Sequence, residues 1–512
     1  MKRFYLLIVL IPFAAGCNRP NNVQEEDPVV FQIDTRVKHQ VVRNFGASDA
    51  WSCQFVGRNW PLEKRQRIAD LLFSMEMDGK GNPKGIGLSL WRFNIGAGSA
   101  EQGAASDIGD EWRRAECFLN EDGSYVWEKQ EGQRWFLEAA KQRGLDQFVA
   151  FAISPPVHFT KNGKAYSQGG AAANMEEDRF DDYAGFLADV LQHFENNGLP
   201  FDYISPVNEP QWNWDSPSQE GSPYLNSEIF RLATELDKAL IERRVTTKIE
   251  LPEAARIIDL YQDDLLSERD NQLAEFFDPA GAHYLGALPS AARKATAHSY
   301  FTTFPEHQLR ETRRELHKRM AAVDPDLEFW MSEYCILEDN ALIKGSGRDL
   351  LMDPAIYMAK VIHYDLTLAN ANAWHWWLAV SPYDYKDGLV YIDYDKHDGT
   401  IYESKMLWAM GNFSRFIRPG MSRVEVLETS PYRSVLASAY HGEGKLAVAL
   451  INVAYEERIV EIELNAGDEI IFDMYVTSGN AEDNLSYKGK LPAVEPVRLL
   501  PRSVVTLTGK EE

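Results

Sequence analysis

Between residues 41 and about 417, short apolar runs rich in Val, Ile, Phe and Trp alternate with longer stretches whose apolar residues recur at helical spacing. Eight such runs stand out, at 41–47, 88–95, 147–154, 201–207, 248–252, 295–300, 327–332 and 371–378. Amphipathic stretches lie between them at 133–143, 180–196, 228–243, 307–322 and 354–369. Each unit of roughly 35 to 60 residues has room for one strand, one helix and a substantial loop. Strand and helix in strict alternation build a parallel sheet, and eight repetitions close it, so the expected fold is α/β, a (β/α)8 TIM barrel.

After Pro419 the helical spacing disappears and short alternating segments follow, at 432–440, 445–453, 457–464, 469–476 and 503–507. They predict an appended β-sandwich, which residues 29–34 join as an extra strand. The expected organisation is a leader at 1–17, a tether at 18–28, an N-terminal strand at 29–40, the barrel at 41–418 and the β-sandwich domain at 419–512.

The leader is read from Met1-Lys2-Arg3, an apolar stretch at 4–15, and Ala14-Ala15-Gly16-Cys17. A basic start, a short apolar region and small residues before a cysteine resemble a bacterial lipoprotein signal. The expectation is an exported protein anchored to the outer membrane through a lipid on Cys17, with no other membrane association; a soluble secreted protein is the alternative. Cys53, Cys117 and Cys335 remain, an odd number without metal-ligand spacing, so three buried thiols are expected, with one bridge as the alternative. A formal charge of −24 excludes nucleic acid as a natural partner and suits an uncharged ligand.

Reactive side chains of such a barrel sit where strands end and loops open onto a common face. The fourth run ends in Ser205-Pro206-Val207-Asn208-Glu209-Pro210 and the seventh in Trp330-Met331-Ser332-Glu333-Tyr334. A carboxylate just past an apolar strand is costly unless paired or used. Two of them facing across the barrel mouth are what glycosidic cleavage needs, one to protonate the departing oxygen and one to attack or support attack at the anomeric carbon.

With Phe45-Gly46-Ala47-Ser48-Asp49-Ala50-Trp51, Ser154-Pro155-Pro156, His298-Ser299-Tyr300 and Trp374-His375-Trp376-Trp377, these motifs resemble glycoside hydrolase family 30, among the retaining clan A glycosidases. The resemblance implies Glu209 as acid/base and Glu333 as nucleophile. It further implies that Asn208 donates to the sugar 2-hydroxyl, Arg92 keeps the nucleophile ionised, Tyr300 hydrogen-bonds it and Asp49 accepts from distal hydroxyls. Trp376, with Trp51 and Trp374, would pack against the pyranose. Plainer readings stand beside these: Asp49 as a turn residue, the tryptophans as barrel plugs with only one of those on the eighth strand touching sugar, and His298 as a satisfied core histidine outside catalysis. The partner is a polysaccharide or oligosaccharide, and neither cofactor nor metal is implied. Residues 379–391 look most like the endo-β-1,6-galactanase branch, acting on galactan side chains of arabinogalactan. β-1,6-Glucanase, xylanase and glucosylceramidase-like activities are the alternatives within the family. A non-catalytic glycan-binding surface lipoprotein is the alternative outside it.

Overall fold

The computed structural model describes residues 28–263, 268–428, 434–465 and 470–510. The leader, Cys17 and the tether up to residue 27 lie outside the described residues. Eight parallel strands form a closed barrel: Asn44–Ser48, Leu90–Ile95, Gln147–Ala152, Tyr203–Ser205, Lys248–Ala254, Ala291–His298, Glu328–Tyr334 and Ala373–Ser381, the eighth pairing with both the seventh and the first. Two further strands, Gly388–Ile392 and Ile401–Glu403, extend the sheet outward from the eighth.

The intervening helices follow from their sequence. Phe180–Asn196 buries Phe180, Tyr183, Leu187, Leu191 and Phe194, a single stripe at three- and four-residue spacing. Asp181 and Asp182 complement the dipole of its first turn, and Gly198, at φ 78°, turns the chain away after its end. Strand side chains alternate between the two faces of the wall. On the second strand Trp91 packs outward against Phe73 and Phe136, while Arg92 projects inward to Glu253 and Glu333. Both faces are buried, which is why these strands read as near-continuous apolar runs. Register shifts between Ala297 and His298 and between Met331 and Tyr334 fall at the C-terminal ends of the sixth and seventh strands, where they re-aim side chains at the mouth.

A separate nine-stranded, mostly antiparallel sheet encloses a second apolar core that includes Phe31, Val448, Val460, Phe472 and Leu507. The N-terminal strand, Val29–Val41, lies between Ser422–Glu428, its antiparallel partner, and Arg458–Leu464, its parallel partner, and so joins the two parts of this sheet. Three strands that the alternation did not announce, Ser422–Glu428, Ser486–Pro492 and Val497–Leu499, complete it. The helix Lys405–Ser414 fixes the sheet to the barrel: Asn412 bonds Thr506 and Thr477, and the Lys405 ammonium donates to Asn480, Asp483 and Asn484. No helix among the described residues is long and apolar enough to cross a membrane.

Candidate active site

Glu209 stands beyond the fourth strand in a left-handed conformation, φ 47°, which a glutamate adopts only when its surroundings hold it there. Its amide donates to the Glu253 carbonyl at 2.9 Å, and its own carbonyl accepts from Trp212 N and the Trp214 indole, both at 3.1 Å. Glu333 is the penultimate residue of the seventh strand. A carboxylate oxygen of Glu209, one of Glu333 and a ring nitrogen of His298 all lie within 4.8 Å of one another. Retaining glycosidases hold their carboxyl groups about 5–5.5 Å apart and inverting enzymes roughly 6.5–9.5 Å, so the pair belongs to the close class.

The donors around the pair are unequal. Glu333 Oε2 accepts from Arg92 Nη1 at 3.0 Å, and Oε1 accepts from the Tyr300 hydroxyl at 3.0 Å. Burial raises the Tyr300 phenol well above its ordinary value, so it remains a donor. Among the described residues the Glu209 carboxyl is bonded through His298 Nδ1 alone, at 2.9 Å from Oε1. Burial drives the Glu209 carboxyl up to about 7, with His298 opposing and Glu333 and Glu253 reinforcing the rise. One carboxyl is thus held by two donors while the other retains its proton near neutrality, the division of labour that acid and nucleophile require.

His298 is buried and paired at both ring nitrogens, as expected of a satisfied core histidine, but its partners are the acidic groups of the mouth. It ends the sixth strand fully buried, with Nε2 3.1 Å from Glu253 Oε2 and Nδ1 3.8 Å from Glu333 Oε1, besides its bond to Glu209. Burial alone would lower its pKa, but Glu333, Glu209 and Glu253 carry it to about 10, so the imidazolium donates from both nitrogens. Glu253 was missed in sequence because the fifth run was ended at Pro252, a residue that breaks strand ladders. The available signal was the same as for Glu209 and Glu333, a carboxylate directly after an apolar run. Burial raises the Glu253 carboxyl, yet Arg92, 3.1 Å away, and His298 outweigh it and hold it at about 2. Arg92 therefore serves two carboxylates. Glu209, His298 and Glu333 have the spacing of a metal-binding group, but Arg92 and the His298 imidazolium already supply positive charge there.

The aromatic expectations need revision. Trp374 and Trp376 are fully buried outside the mouth: the Trp374 indole donates to Asp365 on the helix Met352–Thr367, and Trp376 donates to the Asp387 carbonyl. On the opposite face of the strand, Trp377 meets Trp51 edge-on with 5.3 Å between centroids and approaches Phe151 at 6.2 Å. Trp51 occupies a γ-turn, φ 61° and ψ −71°, closed by Ser52 N to Ala50 O at 2.9 Å. That conformation is strained for a tryptophan, and it carries the indole to Tyr383 and Arg113. Asp49 is fully buried; Oδ1 accepts from Asn94 N and Gln133 Nε2, and burial raises the carboxyl to about 7. Oδ1 thus braces the end of the second strand, while Oδ2 is buried with no partner among the described residues. Asn208 sits next to Glu209 with a buried Oδ1 that has no partner among the described residues. Cys53, Cys117 and Cys335 are free and buried.

Residues 28–391 match the family described as O-glycosyl hydrolase family 30. A glucuronoxylanase of Bacillus subtilis (strain 168) is 26% identical over 330 residues, covering 62% of this chain and 64% of that protein, a little under two thirds of its length. An endo-β-1,6-galactanase of Hypocrea rufa is 21% identical over 439 residues, 82% of each chain. The crystal structure of a conserved exported protein from Bacteroides fragilis matches with a TM-score of 0.88 and 37% identity, covering 94% of this chain and 100% of that one. With the family match spanning most of the barrel and the two glutamates at its fourth and seventh strands, this chain belongs to glycoside hydrolase family 30.

Proposed function

We propose that the protein is a retaining glycoside hydrolase acting on a β-linked glycan. The observation that carries this reading is the close approach of the Glu209 and Glu333 carboxylates, within 4.8 Å, with two donors on Glu333 and a Glu209 carboxyl that burial raises to about 7. In the first step a Glu333 oxygen attacks the anomeric carbon, the glycosidic bond breaks, and the departing oxygen takes the Glu209 proton. In the second, water attacks the glycosyl ester, Glu209 takes the water proton, and the bond to Glu333 breaks. Every proton is supplied and recovered by the pair.

For substrate we propose β-1,6-galactan, with cleavage inside the chain. The segment 379–391 and the similarity to a fungal endo-β-1,6-galactanase support it. Recognition of a glucuronate branch calls for a free basic group. Lys386 donates to the carbonyls of Ser346 and Gly347, and Arg415 to those of Ser74, Gly85, Met75 and Glu76, so neither is free for that task. Arg113 is a basic group at the mouth, spread over Trp51 and Tyr383 and 3.8 Å from Asp110, which makes glucuronoxylan the competing substrate. The test is product analysis of the leaderless protein on β-1,6-galactan, β-1,6-glucan and glucuronoxylan, with Glu333→Gln as control. Galactose oligomers from the wild type and none from the variant support the reading; release of another sugar replaces the substrate, and equal products from the variant remove Glu333 from catalysis.

Export with a lipid on Cys17 is part of the same proposal, supported by the sequence at 1–17 and by likeness to an exported protein. Metabolic labelling with a fatty acid that disappears in Cys17→Ser is the expected result; equal labelling would remove the anchor.

A further inference from the structure

Two large aromatic side chains stand in the open beside the catalytic pair: Trp212 is 38% exposed and Phe301 is 51% exposed. They come from different loops, Trp212 three residues beyond Glu209 and Phe301 directly after Tyr300, the donor to Glu333. Their rings nevertheless meet edge to face, 6.0 Å between centroids with an 80° interplanar angle. Neither placement is an accident of a loose loop. The Trp212 amide is bonded to the Glu209 carbonyl at 3.1 Å. On one side of Trp212, Gln211 donates to the Arg269 carbonyl at 2.6 Å and accepts from Ala255 N at 2.9 Å; on the other, Asn213 accepts from Arg269 Nη1 at 3.1 Å. Phe301 has φ 55°, a costly conformation for a bulky residue, and its ring gains little burial in return.

The chemistry says what such a surface meets. The proton donor has to reach the oxygen being expelled, so the part of the substrate beyond that oxygen leaves past Glu209 and over the loop that carries it. The other aromatic group of the mouth, Trp51 with Trp377 and Tyr383, comes from the first and eighth strand ends, across the barrel from the fourth and sixth. A pyranose presents an apolar face of C–H groups that packs on an aromatic ring. We infer that Trp212 and Phe301 form the platform on which the leaving-group sugar of the glycan packs. The inference rests on the retaining-hydrolase reading above and extends it: binding energy from a sugar that does not react is used to orient the scissile bond against Glu209.

The experiment compares two substrates in the full-length chain and in Trp212→Ala, Trp212→Phe and Phe301→Ala. One is a β-linked tetrasaccharide of whichever series the wild type cleaves among β-1,6-galactan, β-1,6-glucan and glucuronoxylan. The other is the β-fluoride of the corresponding disaccharide, whose leaving group offers nothing to stack. Trp212→Ala should lower kcat/KM on the tetrasaccharide by tenfold or more and leave the fluoride within twofold, with Trp212→Phe recovering most of the loss. Phe301→Ala should fall the same way by a smaller factor. Because retaining enzymes pass the glycosyl group to sugars held on the leaving-group side, Trp212→Ala should also shift fluoride turnover from transfer products toward hydrolysis. Equal losses on both substrates, or none on either, would overturn the platform while the retaining reading stands. A wild type that turns over neither substrate would instead overturn the reading beneath it.

Discussion

The raised acidity constant of Glu209 has a kinetic signature that can be worked out in advance. With its carboxyl at about 7, the free enzyme holds the acid proton below that pH and loses it above. Two units higher, only about 1% of molecules keep the proton, so kcat/KM on a substrate that needs it should fall roughly 100-fold between pH 6 and pH 9. An oligosaccharide has a poor leaving group and needs the proton; a 2,4-dinitrophenyl glycoside expels a stable phenolate and does not. The assay is the pH profile of kcat/KM on both, for the wild type and Glu209→Ala. The oligosaccharide should show a basic limb near 7 and the aryl glycoside none. Glu209→Ala should lose about 10²–10⁴-fold on the oligosaccharide and stay within about tenfold on the aryl substrate. A basic limb shared by both substrates, or one that survives in Glu209→Ala, would refute the reasoning, because the titrating group would then not be the donor.

His298→Phe removes the cation that lowers the Glu209 pKa, so the basic limb should move upward by about one unit or more, read from the same profiles; an unmoved limb would separate His298 from Glu209. Trp374→Phe takes a hydrogen bond from buried Asp365, which keeps Arg313 and Ser299, and should cost about 1.5–3 kcal/mol in denaturant unfolding with kcat/KM nearly unchanged. Trp377→Ala should do the reverse at the mouth, raising KM at least severalfold; if Trp374 proves the more damaging to binding, the assignment of faces is wrong.

The barrel was legible because strands buried on both faces carry continuous apolar runs, and observed strands such as Leu90–Ile95 and Gln147–Ala152 fall within the expected ones. The same double burial hid which face of a strand points where. Trp374, Trp376 and Trp377 all look alike in sequence, and only pairing with the neighbouring strands separates the first two from the third. Register shifts near the strand ends make counting from Arg92 or Glu333 unreliable there. Glu209 and Glu333 stood out as a pair, each just past an apolar run at the fourth and seventh strands and each within a motif that resembles the family's. His298 did not, since an isolated histidine has no sequence mark of the two carboxylates that bracket it, one of them the unrecognised Glu253. The strands Ser486–Pro492 and Val497–Leu499 were passed over because the first carries two lysines and a glycine and the second is three residues long.

The central claim, a covalent glycosyl ester on Glu333, is tested most directly by trapping. A 2-deoxy-2-fluoroglycosyl fluoride of the sugar series the enzyme cleaves slows both steps, yet its fluoride departs without help from an acid. Intact-protein and peptide mass spectrometry should then find one fluorosugar added to the peptide that contains Glu333, and none in Glu333→Gln. Active wild-type enzyme that carries the label on Glu209 or Glu253, or that turns over substrate with inversion and carries no label, would contradict the account.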